Sequence, residues 1–341
     1  MSQRPTIAEI ASEAGVSMPT VSRVLNRRPD VAPETRQRVQ EVLEARGYLK
    51  KAHTSLPKAP ALKLVDLIIA GWLDSEFYGE MVRGMEEVLA PAGARLVLST
   101  MHRNQQFVQD WHAQLAQHAP AGAIFLTADD CLAFDTLGER GIPFVVIDDN
   151  VPMELNIPSV GANNWTSGLR ATEYLLSLGH RQIAMITGWP SHRETKGRIA
   201  GYRSALETVG LAVDPSYLLD SDYSMEQGYI QTHALLDLPN PPTALIAACD
   251  AQAMGVYRAL YECGLRIPDD ISVIGFDDIP TAQWMAPPLT TIRQPLRDIG
   301  RIAAERLLHL MAGKSLETLR VELASPLLVR SSCAQPPSQP R

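Results

Sequence analysis

The sequence has no apolar run that approaches the roughly 20 residues needed to cross a bilayer. Its opening, MSQRPTIAEI, lacks the charged-then-apolar pattern of a secretion signal. A cytoplasmic location is therefore expected. Cysteine is sparse: Cys131, Cys249, Cys263 and Cys333 are widely scattered and form no CxxC pair. That argues against disulfides and a thiolate metal site, and leaves buried free thiols. The eight histidines lack metal-ligand spacing, so neither metal nor cofactor is expected. No Walker A loop, GxSxG, HExxH or GxGxxG is present. Acids do occur in pairs, at Asp129–Asp130, Asp148–Asp149 and Asp277–Asp278. Neighbours in sequence do not face each other across a substrate, so catalysis is not expected. The tail, SSCAQPPSQPR, carries no heptads, which leaves a tetramer-forming coiled coil unsupported.

What is present is an ordinary globular composition, 341 residues with 45% hydrophobic and 20% charged. That length suits two or three domains. The net charge of −7 by itself argues against nucleic acid. The charge is uneven, however. Residues 1–58 hold ten Lys/Arg against six Asp/Glu, a surplus of +4, and the remainder holds 21 against 32, a deficit of −11. A basic head on an acidic body suggests that only the head meets phosphate.

The head reads TIAEIASEAGVSMPTVSRVLN from Thr6. Ile7, Ile10, Ala11 and Ala14 share one helical face, Thr6 with Glu9 forms a capping box, and Gly15 suits a left-handed stop. Ser17 is placed to cap a second helix, with Pro19 in its first turn, where a missing N–H costs nothing. Val21, Val24 and Leu25 would face inward. RRPDVAPETRQRVQEVLEARGY then gives a loop and a third helix, with Val39, Val42 and Leu43 as its stripe. Helix, tight turn, helix and a supporting helix make a helix-turn-helix, whose second helix fits the major groove. Its outward residues, Met18, Pro19, Ser22, Arg23 and Asn26, are then the ones that meet DNA.

The run TIAEIASEAGVSMPTVSRVLN…VAPETRQRVQEVLEARGY resembles the head of the LacI/GalR family of bacterial transcription regulators. The resemblance implies base contacts from Met18, Pro19 and Arg23. It places Thr6, Ser17, Thr20, Ser22, Asn26 and Arg36 at or near phosphate. Arg23 is the foremost base reader, because a guanidinium matches guanine edges. The family carries a short hinge helix next, and here the sequence departs from it. Lys50 and Lys51 stand where Pro-Asn is usual, and Pro57 directly follows Leu56 and would end a helix. Leu56 is either an apolar wedge for the minor groove or part of a flexible basic tether.

From Lys63, apolar runs alternate with amphipathic helical patterns. The runs are LVDLIIA, ARLVLST, AGAIFLT, IPFVVIDD, QIAMITG, TALIAACD and ISVIGFDD. Buried strands spaced by helices give parallel α/β sheets, and the pattern restarts after SVGANN. Two doubly wound lobes are expected, with ligand held at the carboxyl ends of the strands. The expected fold is thus a small all-α helix-turn-helix head plus an α/β body of two doubly wound parallel-sheet lobes. LGHRQIAMITG, RIAGYRSAL, PDDISVIGFDD and PPLTTIRQP extend the family resemblance over the body, which is similar to periplasmic sugar-binding proteins. It implies a DNA-binding domain over 1–49, a linker over 50–60 and an effector body over 61–341. Within the body, the first lobe spans about 61–160 and 293–322, the second about 161–292 and 323–333, and 334–341 is tail.

By the same resemblance Arg198 is the fork that grips sugar hydroxyls or an effector carboxylate, and Asp277 is a hydroxyl acceptor. Asp148 is a second acceptor, and Asp250 is either an acceptor or a helix cap. Asp278 is read as a cap and Asp149 is left more doubtful. Trp72 is placed to stack on a pyranose, with Phe77 opening the next helix. Tyr223, Trp189 and Trp284 lie on loops at strand ends, either stacking or packing. Gln294 sits at a crossover strand. Aromatics, carboxylates and an arginine around one cleft suit a neutral sugar. The expected function is a repressor that a sugar releases from a palindromic operator, working as a homodimer. A co-repressor-dependent regulator is the variant reading. A sugar-transport binding protein would share the body, yet would need a signal peptide and leave the head unexplained.

Overall fold

A computed structural model of the chain describes residues 6–26, 28, 30–46, 48, 62–70, 76–101, 115, 119–126, 132–147 and 156–337. The chain divides into two compact units, Met1–Leu62 and Lys63–Arg341.

Three helices make the first unit: α1 (Ile7–Glu13), α2 (Met18–Leu25) and α3 (Pro33–Ala45). The Thr6 hydroxyl accepts from the Glu9 amide at 3.3 Å, and the Glu9 carboxylate accepts from the Thr6 amide at 2.7 Å. Two of the orphan donors at the start of α1 are thereby satisfied. The chain turns through Gly15 at φ +63°, a conformation that costs a residue with a Cβ. Ser17 holds the cap position of α2 without a side-chain cap bond. Its hydroxyl lies 2.9 Å from that of Thr20 instead, because Pro19 and the short first turn leave the two hydroxyls side by side. Ile10, Ala11, Ala14, Val21, Val24, Val39 and Leu43 form one core, with Leu25 and Val42 packed against it.

The second unit contains two six-stranded sheets. The first joins β1 (Lys63–Ala70), β2 (Ala94–Met101), β3 (Gly122–Leu126), β4 (Phe144–Ile147), β5 (Ser159–Ala162) and β11 (Arg320–Leu323) in the order β11-β5-β4-β3-β1-β2. All of its pairings are parallel. The second joins β6 (Ile183–Ile186), β7 (Leu218–Leu219), β8 (Ala244–Ala247), β9 (Ser272–Asp277), β10 (Thr290–Arg293) and β12 (Leu327–Leu328) in the order β12-β10-β9-β8-β6-β7. Only its β10–β12 pairing is antiparallel. Both sheets thus share one order, with a reversal between β1 and β3 and again between β6 and β8. Such reversals open a crevice at the carboxyl edge.

Alternation along the strands assigns the faces. In β6, Ile183 and Met185 join a core with α6 (Asn164–Ser177) and α7 (Arg193–Thr208), whereas Ala184 and Ile186 join one with α8 (Met225–Leu236) and α9 (Asp250–Glu262). The first sheet packs one face on α4 (Phe77–Leu89) and α10 (Leu296–Met311). Its other face gathers Phe125, Phe134, Phe144 and Val146 with Leu137 of α5 (Leu132–Glu139). The chain passes between lobes three times: from β5 into α6, from β10 into α10, and from β11 into β12. These crossings are stitched together. The Asn163 amide donates to Leu323 O at 2.9 Å, and the Arg293 amide donates to Pro326 O at 2.8 Å. Among the described residues, no helix is long and apolar enough to cross a membrane.

Candidate functional site

In the first unit, α2 presents an exposed row of Met18, Pro19 and Arg23, with Ser17 before it and Asn26 after it. Val21 and Val24 on the opposite side are buried. Thr20 and Ser22 are half-buried. The Asn26 amide donates to Ser22 O at 2.9 Å, which fixes it at the end of the helix. Arg23 lies 3.8 Å from Asp30, both largely exposed, a pairing that water weakens and that leaves the guanidinium usable. Arg36 donates to the Arg28 carbonyl and so ties α3 to the loop before it. Thr6 is committed to the capping box. Leu56 lies outside the described residues.

The second unit gathers its polar groups at the carboxyl ends of β6 to β10. Arg198 projects from the first turns of α7 and is only 4% exposed. Its Nε donates to Asn164 Oδ1 at 2.9 Å, a second nitrogen donates to Ala248 O, and its guanidinium carbon lies 4.5 Å from the centre of the Phe276 ring. A buried cation held by a carbonyl, a carboxamide and an aromatic face keeps its charge in a dry place. Asp277 ends β9 and is also buried. It accepts from Gln294 Nε2 at 2.6 Å. Burial raises its pKa to about 6, against the opposing pull of Arg198 and the Gln294 bond. Gln294 follows β10 directly, and its Oε1 is a buried acceptor with no hydrogen-bond partner. A buried carbonyl oxygen left open in this way costs free energy unless a donor arrives.

Asp277 and Asp278 both hold left-handed backbone, at φ +106° and +59°. Each costs of order 1–3 kcal/mol. Asp278 is not a helix cap: Arg293 Nε donates to it at 2.7 Å and Arg330 pairs with its other oxygen. These two cations hold the turn that presents Asp277. Asp250 also differs from the acceptor reading. Its Oδ1 accepts from the Thr291 hydroxyl at 2.7 Å and its Oδ2 from the Ile279 amide at 3.0 Å, so both oxygens serve the protein. The carboxyl lies over β9 where Gly275 has no side chain, and a Cβ there would overlap Oδ1. Burial, then the neighbouring Asp277 charge, raise the Asp250 pKa well above the usual carboxylate range.

Tyr223, at φ +67°, donates or accepts at 2.6 Å with the Thr195 hydroxyl. Burial, aided by Glu194, pushes its pKa up, so the phenol stays neutral. Cys249 is buried, caps α9 by accepting from the Gln252 amide at 3.3 Å, and donates to Tyr223 O at 3.1 Å. Cys263 is exposed, unlike the buried thiol expected, because it follows α9 on the solvent side. Phe77 opens α4, packs into the first lobe's core and meets Tyr78 edge-on at 5.5 Å. Trp284 is 81% exposed, standing open to solvent. Trp189 lies 6.4 Å from the His192 ring. Trp72, Asp148 and Asp149 lie outside the described residues, as does Cys131.

The structure thus brings Arg198, Asp277 and Gln294 into one buried cluster and keeps Asp250 behind it. Sequence reasoning did not single out Asn164, Phe276 or Thr195. Asn164 was the most legible of them, since SVGANN ends a strand with two carboxamides.

Residues 6–50 match the bacterial regulatory proteins of the lacI family, and residues 172–333 match the periplasmic binding protein-like domain. Among curated proteins, the HTH-type transcriptional regulator DegA of Bacillus subtilis (strain 168) is 34% identical over 316 residues, 92% of this chain and 91% of that protein. Among solved structures, the complex of the transcriptional regulator CelR with cellobiose has a TM-score of 0.74 at 31% identity, covering 96% of this chain and all of that one (100%). The lac repressor dimer bound to operator and the anti-inducer ONPF has a TM-score of 0.71 at 28% identity, covering 97% and 100%.

Proposed function

This chain belongs to the lacI family of bacterial regulatory proteins, and from that premise we propose that a small neutral sugar, held by the Arg198–Asp277–Gln294 cluster, controls its grip on DNA. It is a DNA-binding transcriptional regulator of the repressor type. The reading assigns the exposed row of α2 to the major groove, with Arg23 on a guanine edge and Met18 and Pro19 against apolar base surface. Ser17, Thr20, Ser22, Asn26 and Arg36 are assigned to or near phosphate. A single module makes few base contacts, so two copies act together on a palindrome. The lac repressor similarity, a dimer on operator, supports this arrangement.

The observation that carries the effector reading is the Gln294 Oε1 left without a partner beside the Asp277 carboxylate. One acceptor, one carboxylate and a guanidinium are the complement of adjacent hydroxyls. A sugar donating to both oxygens would satisfy the orphan and stabilise the arrangement in which it is bound. Gln294 stands at the crossing from β10 to α10, so satisfying it acts on the relation between the lobes. By linkage, a sugar that prefers one lobe arrangement by a few kcal/mol shifts operator affinity in proportion. Its arrival is assigned to release the operator. Binding occurs without turnover of the sugar. Asp250 is assigned to hold the site's shape and is withdrawn from ligand contact.

Isothermal titration with a panel of pentoses and hexoses, paired with gel shift on the chain's own upstream region, tests this. Binding should vanish in Arg198→Ala while operator affinity persists. An Arg198→Ala protein that binds sugar as the parent does, or sugar that leaves operator titration unchanged, overturns the assignment.

A further inference from the structure

Beside the buried cluster lies a groove of about 620 Å³ that the reading above does not use. Its walls are Ser159 to Ala162 of β5, Arg320 to Glu322 of β11, Asn163 to Trp165 at the start of α6, and Arg193, Glu194 and Gly197 on α7. The volume falls within the range of small-molecule sites, about 300–1,000 Å³. Both lobes contribute. β5 and β11 are strands of the first sheet, whereas α6 and α7 pack on the second.

The pleat explains why the space exists. Arg320 pairs in register with Ser159 and Glu322 with Gly161, so these four share one face of the sheet. Val160, Ala162 and Leu323 take the opposite face and join the core against α10. The groove face therefore carries one hydroxyl, one bare glycine and two long polar side chains rather than bulk.

Asn164 joins this groove to the buried cluster. It lines the groove, and its Oδ1 accepts from Arg198 Nε at 2.9 Å. Gly197, the residue before Arg198, also lines it. A molecule seated on Arg198 thus has the groove at its flank.

The chemistry of the walls selects a class. Among the described lining residues two arginines, Arg193 and Arg320, are balanced in number by two glutamates, Glu194 and Glu322, so they do not single out an ion of either sign. Glu322 Oε2 accepts from Asn163 Nδ2 at 3.1 Å, and Glu194 Oε1 lies 2.7 Å from His192 Nδ1. Each carboxylate is thereby oriented and keeps its second oxygen for further donors. Trp165 at the rim is 46% exposed. An uncovered indole supplies a broad apolar face beside fixed polar groups, and an uncharged ring that is apolar on its faces and hydroxylated on its edges matches both.

We propose that the groove is a second sugar subsite, so that the effector is an oligosaccharide of at least two rings. One ring sits on the Arg198–Asp277–Gln294 cluster, and the next passes Asn164 and lies on Trp165. This rests on the effector reading above. Because the second ring touches β5 and β11 from one lobe and α6 and α7 from the other, it bridges the lobes and adds to the preference for one arrangement.

The test is isothermal titration of the full chain with D-glucose and D-xylose against cellobiose, maltose and xylobiose, using the parent, Trp165→Ala, Trp165→Phe and Arg198→Ala. At least one disaccharide should bind tenfold or more tightly than its own monosaccharide. Trp165→Ala should close that gap while leaving the monosaccharide unchanged, and Trp165→Phe should keep most of it. A parent that binds each disaccharide no better than its monosaccharide overturns the proposal. So does a gap that survives intact in Trp165→Ala. Arg198→Ala reports on the first reading alone: it should weaken sugars of both sizes, and sugar binding that survives it overturns that reading whatever Trp165 does.

Discussion

Asp277 meets two unfavourable conditions at once, a left-handed backbone and burial beside a second carboxyl. Its folded pKa of about 6 stands above the ordinary aspartate value of 3.8. The folded state therefore holds the proton more tightly than the unfolded chain. That contribution to stability is complete below about pH 4 and is lost as pH rises through about 6. Asp277→Asn should flatten this slope, read as melting temperature against pH from 4 to 7.5; an unchanged slope would place the titration elsewhere. Sugar binding has the opposite trend. The ionised carboxylate is a stronger acceptor for a hydroxyl than the protonated acid, so affinity should fall as pH drops below about 6 in the parent. Gly275 sets a steric condition on the same site. Gly275→Ala forces Asp250 off β9 and should destabilise the body by several kcal/mol, seen in urea unfolding. At this scale Arg198, inside α7, was reached through the family resemblance, whereas the sequence was legible where a polar residue ends a strand, as with Asp277 and Gln294. It was illegible for Asp250, because the gap above Gly275 arises from strands β8 and β9 lying side by side, 25 residues apart in sequence.

At the scale of elements, the head depends on a core of few residues and on its caps. Thr6→Ala removes the hydroxyl arm of the capping box, leaves the Glu9 carboxylate on the backbone amide, and should cost about 1 kcal/mol, measured as a lower urea midpoint for the head. Arg23→Ala removes the assigned guanine reader and should weaken specific operator binding by about 1–3 kcal/mol. Gel shift would show it, and unchanged affinity would remove α2 from the groove. The seven apolar runs each became a strand, namely β1 to β4, β6, β8 and β9. In most of them, four or more apolar residues in succession, buried on both faces, leave a sequence little alternative; β2 differs, as Val97 and Leu98 are exposed. The other five strands were not marked as strands by any such run. β7 and β12 are two residues long, β11 carries Arg320 and Glu322 on one face, β5 contains a glycine, and β10 opens with two threonines. Their pairing comes from neighbours already in place rather than from their own pattern.

For the whole molecule, the two lobes meet at the three chain crossings and at a further contact. Glu76, at the start of α4, accepts from the Thr281 amide at 3.1 Å and the Thr281 hydroxyl at 2.7 Å. This latch joins segments 205 positions apart. It helps hold the lobes in the arrangement described here. Glu76→Ala should shift the apo population toward open and weaken sugar binding roughly three- to tenfold. Small-angle scattering should report a larger radius for the apo variant and the parental radius at saturating sugar. A further consequence follows from where the last strands go. β11 completes one sheet and β12 the other, so the single stretch of nine residues from Arg320 to Leu328 closes both. While the ribosome still holds that stretch in its exit tunnel, each lobe waits with a bare edge open to chaperones and to neighbouring chains. Neither half can be finished early, and a premature stop codon before Arg320 spoils both together.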